Sequence, residues 1–182
     1  MKKRIFIAIN LPENIKEKLF GYREKWPELP ARWTKRENLH ITLFFLGNVF
    51  GEELPEICEA VQKTTAKNSS FYVKINKIGY GPLGQTPKMI WAIGKNSKEL
   101  TDLRQDLNGQ LGGLENKRFT CHITLARIRF WEFKKIEIED RPQIEESLDL
   151  DFKVKSIDIM ESILKRGGSD YKILQSYKLK AF

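Results

Sequence analysis

The longest apolar runs are Ile5-Phe6-Ile7-Ala8-Ile9 and Ile41 to Leu46, the latter with Thr42 inside it. Other candidate strands are half polar, as Lys74, Asn76, Lys155 and Asp158 show. Such segments suit sheets with one face covered and one face open. The β-rich segments 4–9 and 89–94 are each followed by a helical stretch with a plausible cap. Pro12 to Lys25 follows Asn10-Leu11, and Lys98 to Leu111 follows Ser97. A second helix is predicted over Glu52 to Ala66 and a strand over 71–80. An irregular insertion containing Pro142, with room for one helical turn, is predicted over 130–146. Two closing strands, about 151–161 and 171–180, are joined by the turn-forming Arg166-Gly167-Gly168-Ser169-Asp170.

The pattern is written twice. His-Ile-Thr-Leu occurs at 40–43 and again at 122–125, and these motifs contain the only two histidines of the chain. Ala8 of Ile7-Ala8-Ile9 lies 32 residues before His40, and Ala92 of Trp91-Ala92-Ile93 lies 30 before His122. Phe71-Tyr72-Val73-Lys74 starts 31 residues after His40, and Phe152-Lys153-Val154-Lys155 starts 30 after His122. The Gly- and Pro-rich segment Gly79 to Pro87 joins the two halves, approximately 1–85 and 86–182. The expectation is an α+β fold forming one bilobal domain. Its two pseudo-symmetric lobes would each be an antiparallel sheet with helices on the outer face, and the open faces would meet in a cleft.

Strand periodicity places His40 and Thr42 on one face and Leu39, Ile41, Leu43 and Phe45 on the other. In the second copy His122 and Thr124 point one way, and Cys121, Ile123 and Leu125 the other. The apolar set requires the core, so the histidines and threonines are presented on the open face, held by rigid backbone. A lone histidine on a strand is ordinarily structural. Two in the same context, with no others in the chain, point to one shared chemical role.

That role can be narrowed. In-line cleavage of a phosphodiester needs one group to accept a proton, one to donate a proton, and donors for the equatorial oxygens. Imidazole titrates near 6.5, so a pair can hold opposite protonation states near neutrality. A metal site is disfavoured because only two imidazoles exist and no carboxylate stands at a familiar ligand spacing; no cofactor is expected. No G-x-S-x-G elbow supports acyl transfer.

Charge and cysteine usage add context. Thirty-two Lys and Arg against 24 Asp and Glu give a net charge of +8, which favours polyanionic partners. Arg32, Lys35 and Arg36 cluster before the first motif, and Lys117, Arg118, Arg127 and Arg129 around the second. Phe6, Trp33, Tyr80 and Trp91 are candidates for stacking on bases, although core packing suits Trp91 better. The two cysteines, Cys58 and Cys121, form no C-x-x-C, so reduced thiols are expected. Met1-Lys2-Lys3-Arg4 imitates a basic leader, but Asn10, Pro12 and Glu13 interrupt any h-region. No apolar run approaches the roughly 20 residues of a membrane span. A cytoplasmic monomer that avoids membranes is expected.

The paired H-x-T-x motifs resemble the signature of the two-histidine phosphoesterases and, among these, the RNA 2′,3′-cyclic phosphodiesterases, historically called 2′-5′ RNA ligases. Arg4 to Ile9, Arg32-Trp33-Thr34, Glu37-Asn38-Leu39 before His40, and Phe45-Leu46-Gly47 look like that family's first half. Pro87 to Trp91, Phe119 to Arg127, Glu161-Ser162-Ile163-Leu164 and Tyr171 look like its second half. The resemblance implies a bilobal α+β fold and hydrolysis of RNA 2′,3′-cyclic phosphate ends to 2′-phosphates. In that scheme His40 is the proton donor and His122 the proton acceptor, with Thr42, Thr124 and Arg127 on the phosphate. Phosphodiesterase action on 2′-5′ linked oligonucleotides, reversible 2′-5′ ligation and non-catalytic binding of RNA ends stand as alternatives. Cys121 replaces a usual proline, and Lys88 a common arginine. Arg127 has the opposite strand parity to His122, so it reaches the cleft only if the strand ends or bulges.

Overall fold

The computed structural model describes residues 2–113, 119–166 and 168–181. Lys117 and Arg118, two of the predicted cations, and Gly167 of the predicted turn lie outside the described residues. Nine strands and four α-helices occur among the described residues. They are β1 (Lys2–Asn10), α1 (Glu13–Gly21), β2 (Ala31–Trp33), β3 (His40–Phe50), α2 (Leu54–Lys67), β4 (Phe71–Gly81), β5 (Met89–Gly94), α3 (Lys98–Gln110), β6 (His122–Ile128), α4 (Phe130–Lys134), β7 (Glu145–Val154), β8 (Ser156–Lys165) and β9 (Gly168–Lys178). No described helix is long and apolar enough to cross a membrane.

The strands form one antiparallel sheet in the order β7-β4-β5-β6-β3-β1-β8-β9, with β2 paired to β6. Strands β3 and β6 touch through a single pair, Ile41 opposite Ile123, and the rest of the sheet extends outward on either side of that point. The two sequence halves interleave. Strand β4 of the first half joins β5, while β8 of the second joins β1. The two Phe-x-Val-Lys segments, expected at equivalent places, are therefore neighbours: Phe71 pairs Val154 and Val73 pairs Phe152.

Along β1 the alternation of the strand sends Ile5, Ile7 and Ile9 into the main core. Phe6 and Ala8 go to the other face, where they pack with Met160 and Tyr171. The main core takes Ile15 and Leu19 of α1, Val61 of α2, Leu100, Leu103 and Leu107 of α3, and Phe133 of α4. The spacing of those helical residues is that of one apolar stripe per helix. One face of the sheet is thereby covered by helices, and the face bearing the histidines stays open.

Some boundaries differ from expectation for local reasons. Ser97 caps α3 as predicted, its hydroxyl accepting from the Leu100 N–H at 3.2 Å. The first helix starts after Pro12, the cap position, which has no side-chain acceptor, and the Asn10 amide two residues earlier donates to Asp158 at 2.8 Å. Past Gly21 that helix tightens into a 3₁₀ turn over Tyr22–Lys25. The strand expected at 151–161 is two strands, β7 and β8, which change direction at Lys155 without Gly or Pro to mark it. Cys121 is buried, which pushes its thiol up to about 12, and Cys58 is half-buried; both are free thiols.

Candidate active site

His40 opens β3 and His122 opens β6, so the single contact between these strands brings both motifs to one place. Both histidines line a cleft of about 380 Å³, together with Thr42, Thr124 and Arg127. Each imidazole is tied in the same way. His40 Nδ1 donates to the carbonyl of Asn38 at 2.7 Å, and His122 Nδ1 donates to that of Thr120 at 2.7 Å. A carbonyl oxygen only accepts, so Nδ1 carries the proton in both rings and each Nε2 is the reactive nitrogen. The Thr42 hydroxyl donates to the Nε2 of neutral His40 at 2.8 Å.

The rings differ in their neighbours. His40 sits between Phe6, at 5.0 Å, and the edge of Tyr171, at 5.2 Å. Trp91 stacks on His122 at 3.9 Å between centroids, with 24° between planes. The indole is 7% exposed and lies flat against Gly81, where an added Cβ would come within 2.3 Å of it. Gly81 thus admits the ring that steadies His122. Its cost is an indole N–H buried without a partner.

Burial favours the neutral form of both imidazoles. It pushes His40 down to about 4, partly offset by the bond to the Asn38 carbonyl and reinforced by His122, Lys16 and Arg127. His122 is lowered by burial too, against the opposing pull of the Thr120 carbonyl.

The register explains how Arg127 enters. On β6, Thr124 pairs Trp91 and Ala126 pairs Ile90, so Leu125 is an extra residue and the side-chain alternation shifts there. Arg127 emerges on the histidine face. The first motif repeats the device: Thr42 pairs Ala8 and Phe44 pairs Ile7, leaving Leu43 extra. Phe45, expected on the core side, is turned out and is 57% exposed at the cleft wall. Phe45 and Arg127 are therefore counterparts, and they break the pseudo-symmetry of the site.

Other expectations need correction. Phe6, expected to stack on a base, is 0% exposed and fills the space beneath His40. Trp33 stacks on Trp26 at 6.4 Å and borders an adjoining recess rather than the histidine cleft. Tyr80 donates its hydroxyl to the Pro142 carbonyl at 2.6 Å and lies outside the cleft lining. Arg36 faces Glu13 at 4.0 Å and Arg129 faces Glu132 at 3.3 Å, which leaves neither in the cleft.

Arg104, which the sequence did not single out, and Tyr171 both line the cleft. Arg104 reaches from α3 to donate to the Leu43 carbonyl at 3.1 Å, between the rings of Phe44 and Phe119. No spacing signal marks such a residue on a helix. Tyr171, on β9, stood only within the family resemblance, because its strand is remote in sequence from both motifs.

Two imidazoles with their Nε2 atoms toward the cleft, two hydroxyls and a guanidinium make an acid/base site for an anionic, phosphate-bearing group. Residues 9–91 match the family model of LigT like phosphoesterases. An RNA 2′,3′-cyclic phosphodiesterase of Thermotoga maritima is 33% identical over 180 residues, which span 94% of this chain and 92% of that protein. Its counterpart from Methanocaldococcus jannaschii is 31% identical over 180 residues, spanning 96% and 99%. A crystal structure from Thermus thermophilus superposes over 98% of both chains with a TM-score of 0.83 at 27% identity. E. coli LigT, crystallised with 3′-AMP, superposes over 98% of this chain and 99% of its own, with a TM-score of 0.79 at 24% identity. The chain belongs to the LigT-like, two-histidine phosphoesterases, and it is an enzyme of that phosphoesterase class.

Proposed function

We propose that the protein hydrolyses the 2′,3′-cyclic phosphate at the end of an RNA to a 2′-phosphate, with no metal ion. The observation that carries this reading is the matched pair of imidazoles, each held by a backbone carbonyl so that its Nε2 serves one cleft with Arg127. The names of the two relatives described above support the substrate.

In the reaction a water attacks phosphorus and gives its proton to Nε2 of His122. The bond from phosphorus to the 3′ oxygen breaks, and His40 protonates that oxygen as it leaves. Arg127 and the hydroxyls of Thr42 and Thr124 hold the equatorial oxygens, whose charge grows in the transition state. His40 is neutral at pH 7 in the free protein, so its proton is acquired with the substrate. The negative phosphate offsets the repulsion by Arg127 and the cost of burial that hold His40 down.

The same reading takes residues 1–182 as one bilobal domain, with pseudo-symmetric lobes flanking the cleft where β3 meets β6. The substrate is an RNA end or a nucleotide, and the working form is a monomer in the cytoplasm.

The test is turnover of an oligonucleotide 2′,3′-cyclic phosphate in excess EDTA, with the product identified by mass and by its resistance or sensitivity to a 3′-specific phosphatase. A 2′-phosphate product is expected, and His40→Ala and His122→Ala each lower kcat by about a thousandfold. Full activity in either variant, or no turnover by the unaltered protein, overturns the reading.

A further inference from the structure

Beside the histidine cleft lies a second recess of about 350 Å³. The two share Thr34, Asn38, Phe45, Arg127 and Tyr171 as walls, so one opens into the other. Four cations border the recess, Arg4, Arg32, Lys35 and Arg127, and no carboxylate does. On its far side it shares Arg4 and Ser162 with a trough that carries Lys2, Lys3 and Glu161, the last paired with Lys3 at 3.1 Å.

The cations are arranged at a cost. Arg32 of β2 stands directly opposite Arg127 of β6, which puts two guanidinium groups on the same face of neighbouring strands. Like charges in that relation repel. Among the described residues, neither has a carboxylate within ion-pairing distance, and nor does Arg4, whose guanidinium faces the Phe45 ring at 5.9 Å. Lys35 alone is neutralised, by Asp170 at 2.9 Å. Elsewhere the surface pairs its charges freely, as Lys63 with Glu59 and Lys74 with Asp149 do. An unneutralised trio beside a phosphate-handling cleft calls for an anion from outside.

We propose that the recess holds the phosphodiester that joins the terminal nucleotide to the one before it, and that the strand then runs past Arg4 toward Lys2. The inference rests on the reading of the histidine cleft as the cyclic-phosphate site. In an RNA end the next phosphate stands one ribose away, on the 5′ side of the terminal nucleotide. Arg127 lies on the wall between the two phosphates, and Arg32 and Arg4 grip the second. The enzyme is thereby built for the end of a strand and discriminates against a free cyclic nucleotide.

The experiment compares adenosine 2′,3′-cyclic phosphate with a dinucleotide carrying the same terminal residue and a 5′-hydroxyl. For the unaltered protein, kcat/KM is expected to be at least about tenfold higher for the dinucleotide, chiefly through KM, because a phosphate contact is lost with the mononucleotide. Its logarithm falls more steeply with the logarithm of salt concentration, by about 0.7 for each added single-strand phosphate contact. In Arg32→Gln the preference and the extra salt slope both shrink, more so with Arg4→Gln added. Arg32→Lys regains part of the preference, and Lys63→Gln keeps all of it.

Equal efficiency on both substrates, or a preference that Arg32→Gln leaves intact, overturns the proposal while the reading of the histidine cleft stands. If neither substrate turns over, that reading fails instead. Binding of a dinucleotide with an uncleavable 3′ end then tests the recess alone, and binding indifferent to Arg32→Gln overturns the proposal.

Discussion

Replacing His40 with glutamine removes a group that the fold keeps neutral far below its ordinary titration. In the unfolded chain that imidazole takes up its proton near 6.5, whereas in the folded protein it does so at about 4. Between those values the unfolded state binds the proton and the folded state does not, so acid favours unfolding there. The penalty is absent above about pH 7.5, grows as the pH falls through 6.5, and is complete below 4. At pH 5 it amounts to about 2 kcal/mol, from the ratio of the two protonation factors at 1.36 kcal/mol per pKa unit. Glutamine carries a donor for the Asn38 carbonyl but does not titrate.

The assay is urea unfolding of both proteins at pH 7.5 and pH 5. Other groups act on both proteins alike, so the unaltered protein should lose about 2 kcal/mol more than His40→Gln between the two conditions. The chain has only two histidines, so NMR of the ring protons checks the cause directly. One signal should vanish in His40→Gln, and it should be the one with a midpoint near 4. Equal losses in both proteins to within about 0.5 kcal/mol, or an ordinary midpoint for His40, refute the argument.

Further predictions follow from the site. Arg127→Gln should lower kcat/KM by about a hundredfold, the effect of removing one preorganised donor to a developing charge, with partial recovery in Arg127→Lys; a loss below about threefold would remove Arg127 from the phosphate. Trp91→Leu should lower kcat by about tenfold and raise the histidine's freedom, seen as a broadened His122 ring signal, whereas Trp91→Phe keeps the stack and most of the activity. Gly81→Ala should mimic Trp91→Leu by displacing the indole, and adding it to Trp91→Leu should cost little more; additive losses would show that the two act separately.

How far the sequence could be read depended on what kind of interaction placed each residue. The histidines and threonines were legible because their spacing sets their face and because the motif recurs. Strand β5 was legible from an apolar run that ends at Gly94. The division between β7 and β8 was not, since a reversal at a single Lys155 carries no Gly or Pro. Arg104 and Tyr171 arrive from elements far from the motifs, and pairing between remote strands leaves no local pattern. Parity failed at the same point of both motifs, for one reason. A bulge after each threonine adds a residue without any compositional signature, and it moved Phe45 and Arg127 from the core side to the cleft.

That bulge also bears on how a duplicated motif comes to do two jobs. Up to the leucine of His-Ile-Thr-Leu the copies are identical, and both bulge at that leucine. Beyond it the copies diverge, and two residues on the first turns out an aromatic ring, Phe45, and the second a guanidinium, Arg127. In a symmetric pair of imidazoles nothing in the protein itself would choose which serves as donor and which as acceptor. Here Trp91 stacks on His122 alone, and Phe6 and Tyr171 flank His40 alone. Burial lowers the proton affinity of both rings, and the charges of Lys16 and Arg127 add to it at His40. If the asymmetry divides the roles, exchanging the counterparts in the double variant Phe45→Arg/Arg127→Phe should restore a cation to the cleft without restoring turnover. Recovery of more than about a tenth of the activity would show that a cation anywhere on the cleft wall suffices, and that the position of Arg127 on β6 carries no part of the division.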